Sequence, residues 1–275
     1  MTTLPCHIIW NPDASLFSLF GFEVRYYSLC WVVALTLGYL IMQHLYKKQN
    51  VSEQLFEPLF MYCFVGILLG ARLGHCLFYE PEYYLNNLTE MLLPIRITSD
   101  GWHFIGYQGL ASHGGTIGLF LALLLYSRNT KLSFSWVLDN IAITTPIVAA
   151  CIRIGNFMNS EIIGRATDSP LGIIFAQVDN TPRHPAQLYE AIAYVVIFIC
   201  GWLLYKKFPK KVGTGFFFGY CLATIFTFRF FVEFLKEVQV AFEENMTLDM
   251  GQWLSIPFVI IGIISMIRAT KKRLD

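Results

Sequence analysis

Charge is scarce in this chain. Asp, Glu, Lys and Arg make up 14% of its 275 residues, whereas soluble domains carry about 25%. With 55% hydrophobic residues and a mean hydropathy of +0.52, the deficit excludes an ordinary soluble domain and predicts an integral membrane protein. No basic face is offered to nucleic acid, because the 20 Lys and Arg residues are scattered among short segments. There is no CxxC pair, and the 7 cysteines are odd in number and sit mostly in apolar runs, so they read as small core hydrophobes. The histidines show no HExxH or other ligand spacing, so neither a metal nor a cofactor is expected. A GxSxG elbow and a P-loop are also missing, which removes support for hydrolase and NTPase readings. The start, MTTLPCHIIWNPDASLF, lacks the basic region and small-residue cleavage site of a signal peptide, and the first span is expected to be retained.

What is present is a series of apolar stretches close to the ~20 residues that a bilayer core requires. Seven are expected, at about 27–46, 55–79, 108–127, 133–153, 185–205, 214–235 and 250–268. Lys47 and Lys48, then Arg128 and Lys131, then Lys206, Lys207, Lys210 and Lys211, then Arg268, Lys271, Lys272 and Arg273 follow alternate spans. That bias predicts an N-terminus outside and a C-terminus in the cytoplasm. The opposite loops, 80–107, 154–184 and 236–249, are expected to form a small extracytoplasmic head. The expected fold class is all-α: one polytopic membrane domain of seven transmembrane helices.

The stretch Arg153–Gly172, RIGNFMNSEIIGRATDSPLG, is the centre of the chemistry. An arginine at the end of an apolar span, followed by amides and a carboxylate, either faces a partner or wet cavity or snorkels to the interface. Company favours the first reading. At 1.5 Å per residue, Arg72 and Arg229 lie about 10 and 9 Å from the outer ends of their spans, His113 about 8 Å, and Arg25 and Arg153 near the interface. Glu233 follows Arg229 by four positions, and the two are expected to share a helix face and pair. Gln187, Tyr189 and Glu190 open the fifth span at the same level. In SHGGTIG, His113 precedes a glycine pair of the kind tolerated where a helix, backbone or ligand approaches closely.

Several arginines at one depth suit a phosphate, whose oxygens match the guanidinium fork. In the outer leaflet the abundant phosphate is a phospholipid headgroup. With His113 as a possible base and Tyr27, Asn156 and Glu161 nearby, the set suits a transfer in which phosphate leaves and an outside nucleophile attacks. The alternative is a lipid or anion transporter, but the sequence shows no repeated halves. Asp139 is the only acidic residue well inside the inner half of a span, apart from Glu57 near an inner end.

Seven ordered motifs carry a resemblance that runs nearly end to end: VRYYSL at 24–29, GARLGHCLFY at 70–79, SHGGTIG at 112–118, RIGNFMNSEIIG at 153–164, RHPAQLYE at 183–190, FRFFVEF at 228–234 and MGQWLSIP at 250–257. The chain resembles the prolipoprotein diacylglyceryl transferases of the bacterial inner membrane. The resemblance implies seven spans, a periplasmic head, and transfer of diacylglycerol from phosphatidylglycerol to the lipobox cysteine of a preprolipoprotein, giving a thioether and glycerol phosphate. It puts Tyr27, His113, Arg153 and Arg229 on catalytic positions. Arg153, Asn156, Glu161, Gly164 and Glu233 fall on lipid-binding positions, joined from the depth argument by Arg72. A monomer acting on phosphatidylglycerol and lipobox peptides is expected. Three departures stand out: Ile225 where a tyrosine is frequent, Ile152 where a small residue is frequent, and Lys236 where an arginine is frequent, keeping charge but losing the bidentate fork.

Overall fold

The computed structural model describes residues 7–13, 15–19, 22–93, 95–98, 100–104, 109–237 and 246–271. They are mostly helical. Long helices are α1 (Tyr26–Lys48), α2 (Glu53–Phe78), α5 (Ser112–Thr130), α6 (Phe134–Met158), α7 (Ala186–Lys207), α8 (Phe216–Glu233) and α9 (Met250–Lys271), with short α3 (Pro81–Asn86) and α4 (Leu88–Leu92) after α2. Six of them, all the long ones except α5, are long and apolar enough to cross a membrane. Helix α5 has comparable length, but it opens on SHGGT and closes on SRNT, which dilutes its apolar centre.

Two expectations need correction. The fourth span was expected to end at Arg153, but α6 continues to Met158, so Arg153 and Asn156 lie one turn apart on one helix face. The all-α expectation also overlooked short strands in the connecting segments. Among the described residues, β1 (Ile8–Trp10) pairs in parallel with β6 (Ile173–Phe175), which pairs antiparallel with β7 (Pro182–Arg183). Hairpins form from β2 (Ser15–Leu19) with β3 (Phe22–Arg25) and from β4 (Ile95–Thr98) with β5 (Gly101–Phe104). Strands of two to five residues are too short for a period of two to stand out. The start of the expected third span and most of the 236–249 loop lie outside the described residues.

The chain divides into two compact units, residues 43–137 and residues 1–42 with 138–275. In the first, α2 and α5 pack backbone to backbone. Gly66, Gly70 and Gly74 on α2 face Gly114, Gly118 and Ala122 on α5, and a Cβ on Gly114 would strike the Gly70 carbonyl oxygen. Small residues at every fourth position let two helices approach where side chains would hold them apart.

In the second unit, α8 meets α9 at another such crossing, with Gly219 against Gly262. Asp139, fully buried near the start of α6, accepts hydrogen bonds from the amides of Gly213 (2.8 Å), Gly215 (2.9 Å) and Phe218 (2.8 Å). These amides lead into α8 and lack intrahelical acceptors. The end of α6 is held by a small apolar core of Phe157, Ile163, Ile173 and Phe175, with Trp10 packed on it. The Trp10 indole donates to the Phe157 carbonyl oxygen at 3.1 Å. Thus strands far apart in sequence, β1 near the start of the chain and β6 after α6, hold the turn that follows Arg153.

Candidate functional site

The site grows from the last turns of α6. Arg153 Nη1 donates to Asn156 Oδ1 at 3.3 Å, and Asn156 Nδ2 donates to Glu161 Oε2 at 3.2 Å. Asn159 Nδ2 donates to the other carboxylate oxygen of Glu161 at 2.9 Å, and the Gln187 amide donates to the Glu161 backbone oxygen. Glu161 is therefore held at both ends although its side chain lies at the surface. Its neighbours Ser160 and Ile162 have φ of 55° and 56°. For β-branched Ile162 this is a strained conformation, of the kind that surrounding structure imposes at a cost of about 1–3 kcal/mol.

Helix α7 supplies the counter-charge. Gln187, Glu190 and Tyr194 form a polar stripe at three- and four-residue spacing on an otherwise apolar helix, and Glu190 is fully buried. Glu190 Oε2 lies 3.0 Å from Arg153 Nε. It is off the line of any N–H, so the contact is an ion pair without a well-aligned hydrogen bond. The other oxygen, Oε1, receives Lys236 Nζ at 3.2 Å and the Tyr194 hydroxyl at 3.3 Å. The Tyr194 ring packs edge-on against that of Phe228, next to Arg229 on α8, at a centroid distance of 6.5 Å.

Arg229 differs from the other cations. It is half-buried, and among the described residues its guanidinium has no hydrogen-bond or ion-pair partner. The expected pairing with Glu233 does not form. Glu233 Oε2 instead lies 3.1 Å from Lys236 Nζ, and its carboxyl group packs on Gly251, whose added Cβ would lie 2.7 Å from Oε1. That location is the first turn of α9, where the helix dipole favours a negative charge. Gln187 Oε1 and Ser160 Oγ are buried without a partner among the described residues. Buried polar atoms are nearly always paired in native proteins, and exceptions gather at working sites.

Tyr27, in the first turn of α1, lays its ring over Gly155, where an added Cβ would come within 2.9 Å of the ring. Gly164 is gripped on both sides. Its amide donates to the His184 carbonyl oxygen at 2.9 Å, it bridges to Lys236, and a Cβ would lie 2.6 Å from the carbonyl oxygens of His184 and Leu235. Beside it, Arg183 pairs with Asp179 at 2.6 Å and Glu237 at 3.0 Å. Hydrogen bonding from Arg183 holds the Asp179 carboxyl below the usual carboxylate range.

The two remaining expected site residues belong to the 43–137 unit. Arg72 is 2% exposed, and its guanidinium donates to the backbone oxygens of Glu90 (2.5 Å) and Met91 (3.2 Å) while lying 4.7 Å over the Tyr84 ring. These contacts fasten α3 and α4 to α2. A headgroup contact would have to displace them. His113 is exposed on the first turn of α5, and among the described residues its ring has no hydrogen-bond partner.

Sequence reasoning set Glu190 at the depth of the site and singled out Lys236 without giving either a role, and it missed Tyr194. The signal for Tyr194 was its place, four residues after Glu190, on the polar stripe of α7. Among the described residues there is no group of three or more His, Cys, Asp or Glu side chains able to hold a metal. Two arginines remain, Arg153 held by a buried carboxylate and Arg229 without a counter-ion among the described residues, and guanidinium groups of this kind suit an anion with oxygens to share.

Comparison with known proteins bears on what that anion is. A family model described as prolipoprotein diacylglyceryl transferase matches residues 14–268. The chain is 57% identical over 274 residues to a phosphatidylglycerol–prolipoprotein diacylglyceryl transferase of Bacteroides fragilis, covering 99% of each. It is 44% identical to the protein of that name in Porphyromonas gingivalis (98% of this chain, 97% of the other). With that of Tolumonas auensis it shares 41% (97% of this chain, 99% of the other).

Proposed function

The chain belongs to the prolipoprotein diacylglyceryl transferase family, and from that premise we propose how its own residues carry the transfer from phosphatidylglycerol to a prolipoprotein thiol. The enzyme is a transferase of lipoprotein maturation. In the reaction, the bond between the diacylglycerol carbon and the phosphate oxygen breaks, and a bond from that carbon to the cysteine sulfur forms. The thiol proton goes to a base, and glycerol phosphate departs with the electron pair of the broken bond.

The observation that carries the reading is the unequal treatment of two arginines. Arg153 is oriented by Glu190, whereas Arg229, next to Phe228, whose ring lies 6.5 Å from that of Tyr194, has no ion-pair partner among the described residues. In this reading both guanidinium groups bind the phosphate and stabilise the charge that grows on it as it leaves. Asn156 and Glu161 hold Arg153 in register and present oxygens to the headgroup glycerol. Tyr27 walls the site over Gly155, and Gly164 lets the following strand close against it. Glu233 frames the site through Lys236. His113, exposed and without a partner among the described residues, takes the thiol proton. Arg72 supports the segment after α2.

A lipid substrate also needs an apolar path. Helices α7 and α8 flank an open groove of about 710 Å³ lined by Tyr189, Ile192, Val196, Phe228 and Phe231; Tyr189 and Phe228 are next in sequence to Glu190 and Arg229. An apolar groove on the two helices that carry Glu190 and Arg229 suits a two-part ligand with acyl chains and a phosphate. The same reading counts α5 as a seventh span, sets the N-terminus outside and the C-terminus in the cytoplasm, and places a single-copy enzyme in the bacterial inner membrane.

The transporter alternative loses its main intramembrane carboxylate, since Asp139 is committed to three amides. Purified protein incubated with phosphatidylglycerol and a lipobox peptide separates the two. A thioether-linked diacylglyceryl peptide with stoichiometric glycerol phosphate is expected. Lipid movement without that product would overturn the assignment.

A further inference from the structure

Among the described residues, Lys236 is the cation that touches both Glu190 and Glu233. It is 4% exposed, with Nζ 3.2 Å from Glu190 Oε1 and 3.1 Å from Glu233 Oε2. Its backbone is pinned as tightly as its side chain. The amide donates to the Glu233 carbonyl oxygen at 3.0 Å, the carbonyl oxygen accepts from Arg165 Nε at 2.8 Å, and the residue bridges to Gly164. The ammonium is thus delivered by the segment that follows α8, and the long stem has little freedom to leave.

That placement settles a competition. Glu233 stands four residues after Arg229 on α8, a spacing at which opposite charges normally meet. An ammonium three residues further on, with Gly251 at the start of α9, draws the carboxylate the other way. Among the described residues Glu190 pairs with Arg153 and Lys236, and Glu233 pairs with Lys236, which leaves Arg229 without an ion-pair partner. Should Lys236 lose its charge, Glu233 would be left half-buried one turn from a guanidinium that has no partner among the described residues, a spacing that favours their pairing.

We propose that Lys236 is a positioning residue that keeps Glu233 off Arg229, so that the Arg229 guanidinium stays open to the lipid phosphate, while it steadies Glu190 against Arg153. The inference rests on the reading of Arg229 as a phosphate ligand. It also accounts for the departure at this position, because one ammonium with three donors suffices to bridge two separate carboxylates. The bidentate fork is not needed for that task.

The test is steady-state transfer from phosphatidylglycerol to a lipobox peptide, with KM for the lipid and kcat read separately. Lys236→Met should raise KM by about tenfold or more, the scale of one charge-assisted contact, with a smaller change in kcat. Lys236→Arg should stay within about threefold of the parent, since the charge is retained. The double variant Lys236→Met with Glu233→Gln should have a lower KM than Lys236→Met alone, because the competing carboxylate is neutralised. A tie that served only packing would not be rescued by removing its second partner. An unchanged KM in Lys236→Met, or a double variant no better than the single, overturns the inference. If Lys236→Met does not accumulate in the membrane, Lys236→Gln, which keeps a donor but not the charge, is read in its place by the same criteria. A parent protein that forms no thioether would overturn the transferase reading and the inference with it. An active parent with unchanged KM in the variant overturns the inference alone.

Discussion

Glu233 Oε2 lies 3.1 Å from the ammonium of Lys236, three residues later, although Arg229 stands four residues earlier on the same helix. The pairing frees one arginine of a cluster whose other arginine is held by Glu190. A site with one oriented guanidinium and one that has no ion-pair partner among the described residues is suited to bind an anion at the second without first breaking an ion pair.

Loss of either guanidinium should therefore be costly and distinct in character. Arg229→Ala should lower kcat/KM by roughly 10- to 150-fold, corresponding to about 1.5–3 kcal/mol for a charge-assisted contact. Arg153→Ala should lose at least as much, because it also leaves Glu190 buried beside only Lys236 and Tyr194. Lysine at either position should rescue in part. Parental kcat/KM in both alanine variants at equal membrane abundance would move the phosphate elsewhere.

The paired glycines of α5 give a test of packing. An added Cβ on Gly115 meets its nearest neighbour, Ala71 Cβ, at 3.4 Å, an ordinary contact, whereas on Gly114 it would run into the α2 backbone. Gly115→Ala should be neutral or slightly stabilising, given the ~1 kcal/mol helix advantage of alanine. Gly114→Ala should destabilise by about 1–3 kcal/mol through overpacking. Thermal unfolding in detergent would read both, and equal midpoints for the two variants would remove the close α2–α5 crossing.

Much of this was legible in sequence, and the failures are informative. The apolar runs marked the long helices, and SHGGTIG signalled a close approach. What the glycines approached was hidden, because Gly66, Gly70 and Gly74 become a stripe only when a second helix is laid on them. The end of α6 was misjudged because Arg153 resembles a boundary. The helix runs on because Trp10, far away in sequence, packs on Phe157 at a ring separation of 4.4 Å. Pairing between β1 and β6 spans a similar sequence distance, and three-residue strands carry no pattern to announce it. Spacing favoured Arg229 with Glu233, and a lysine delivered by a different segment decided otherwise.

Asp139 offers a stability prediction separate from activity. Asp139→Ala leaves the amides of Gly213, Gly215 and Phe218 without their acceptor, at about 1–3 kcal/mol for each unsatisfied buried group. Asp139→Asn keeps one oxygen and should fall between. The thermal midpoint should drop in that order, while transfer measured well below the midpoint should persist. A kcat loss in Asp139→Asn without any loss of stability would contradict a purely structural role.

The Asp179–Arg183 pair predicts an acid limb. Hydrogen bonding from Arg183 holds the folded-state pKa of Asp179 below its unfolded value, near 3.9. Its contribution is therefore complete above that value and is lost as pH falls through the depressed folded pKa. Unfolding midpoints of the parent and of Asp179→Asn should differ by a constant amount from about pH 5 upward, and converge below pH 4. A difference that grew towards acid would contradict the sign of the shift.

His113 is where a packing residue and a proton acceptor predict different outcomes. Its ring is exposed on the first turn of α5 and has no hydrogen-bond partner among the described residues, and the adjacent Gly114 is accounted for by α2. Packing therefore supplies little reason for a histidine there. If the ring accepts the thiol proton, His113→Gln should reduce transfer by about 10²–10⁴-fold, the usual worth of a general base, with little change in thermal midpoint. Because a cysteine thiol ionises near pH 8.5, the deficit should shrink as assay pH rises towards about 9, where the nucleophile needs less help. A deficit that stays constant across that range would assign His113 to positioning. Near-parental activity at neutral pH would remove it from the reaction, leaving the thiol to lose its proton to another group.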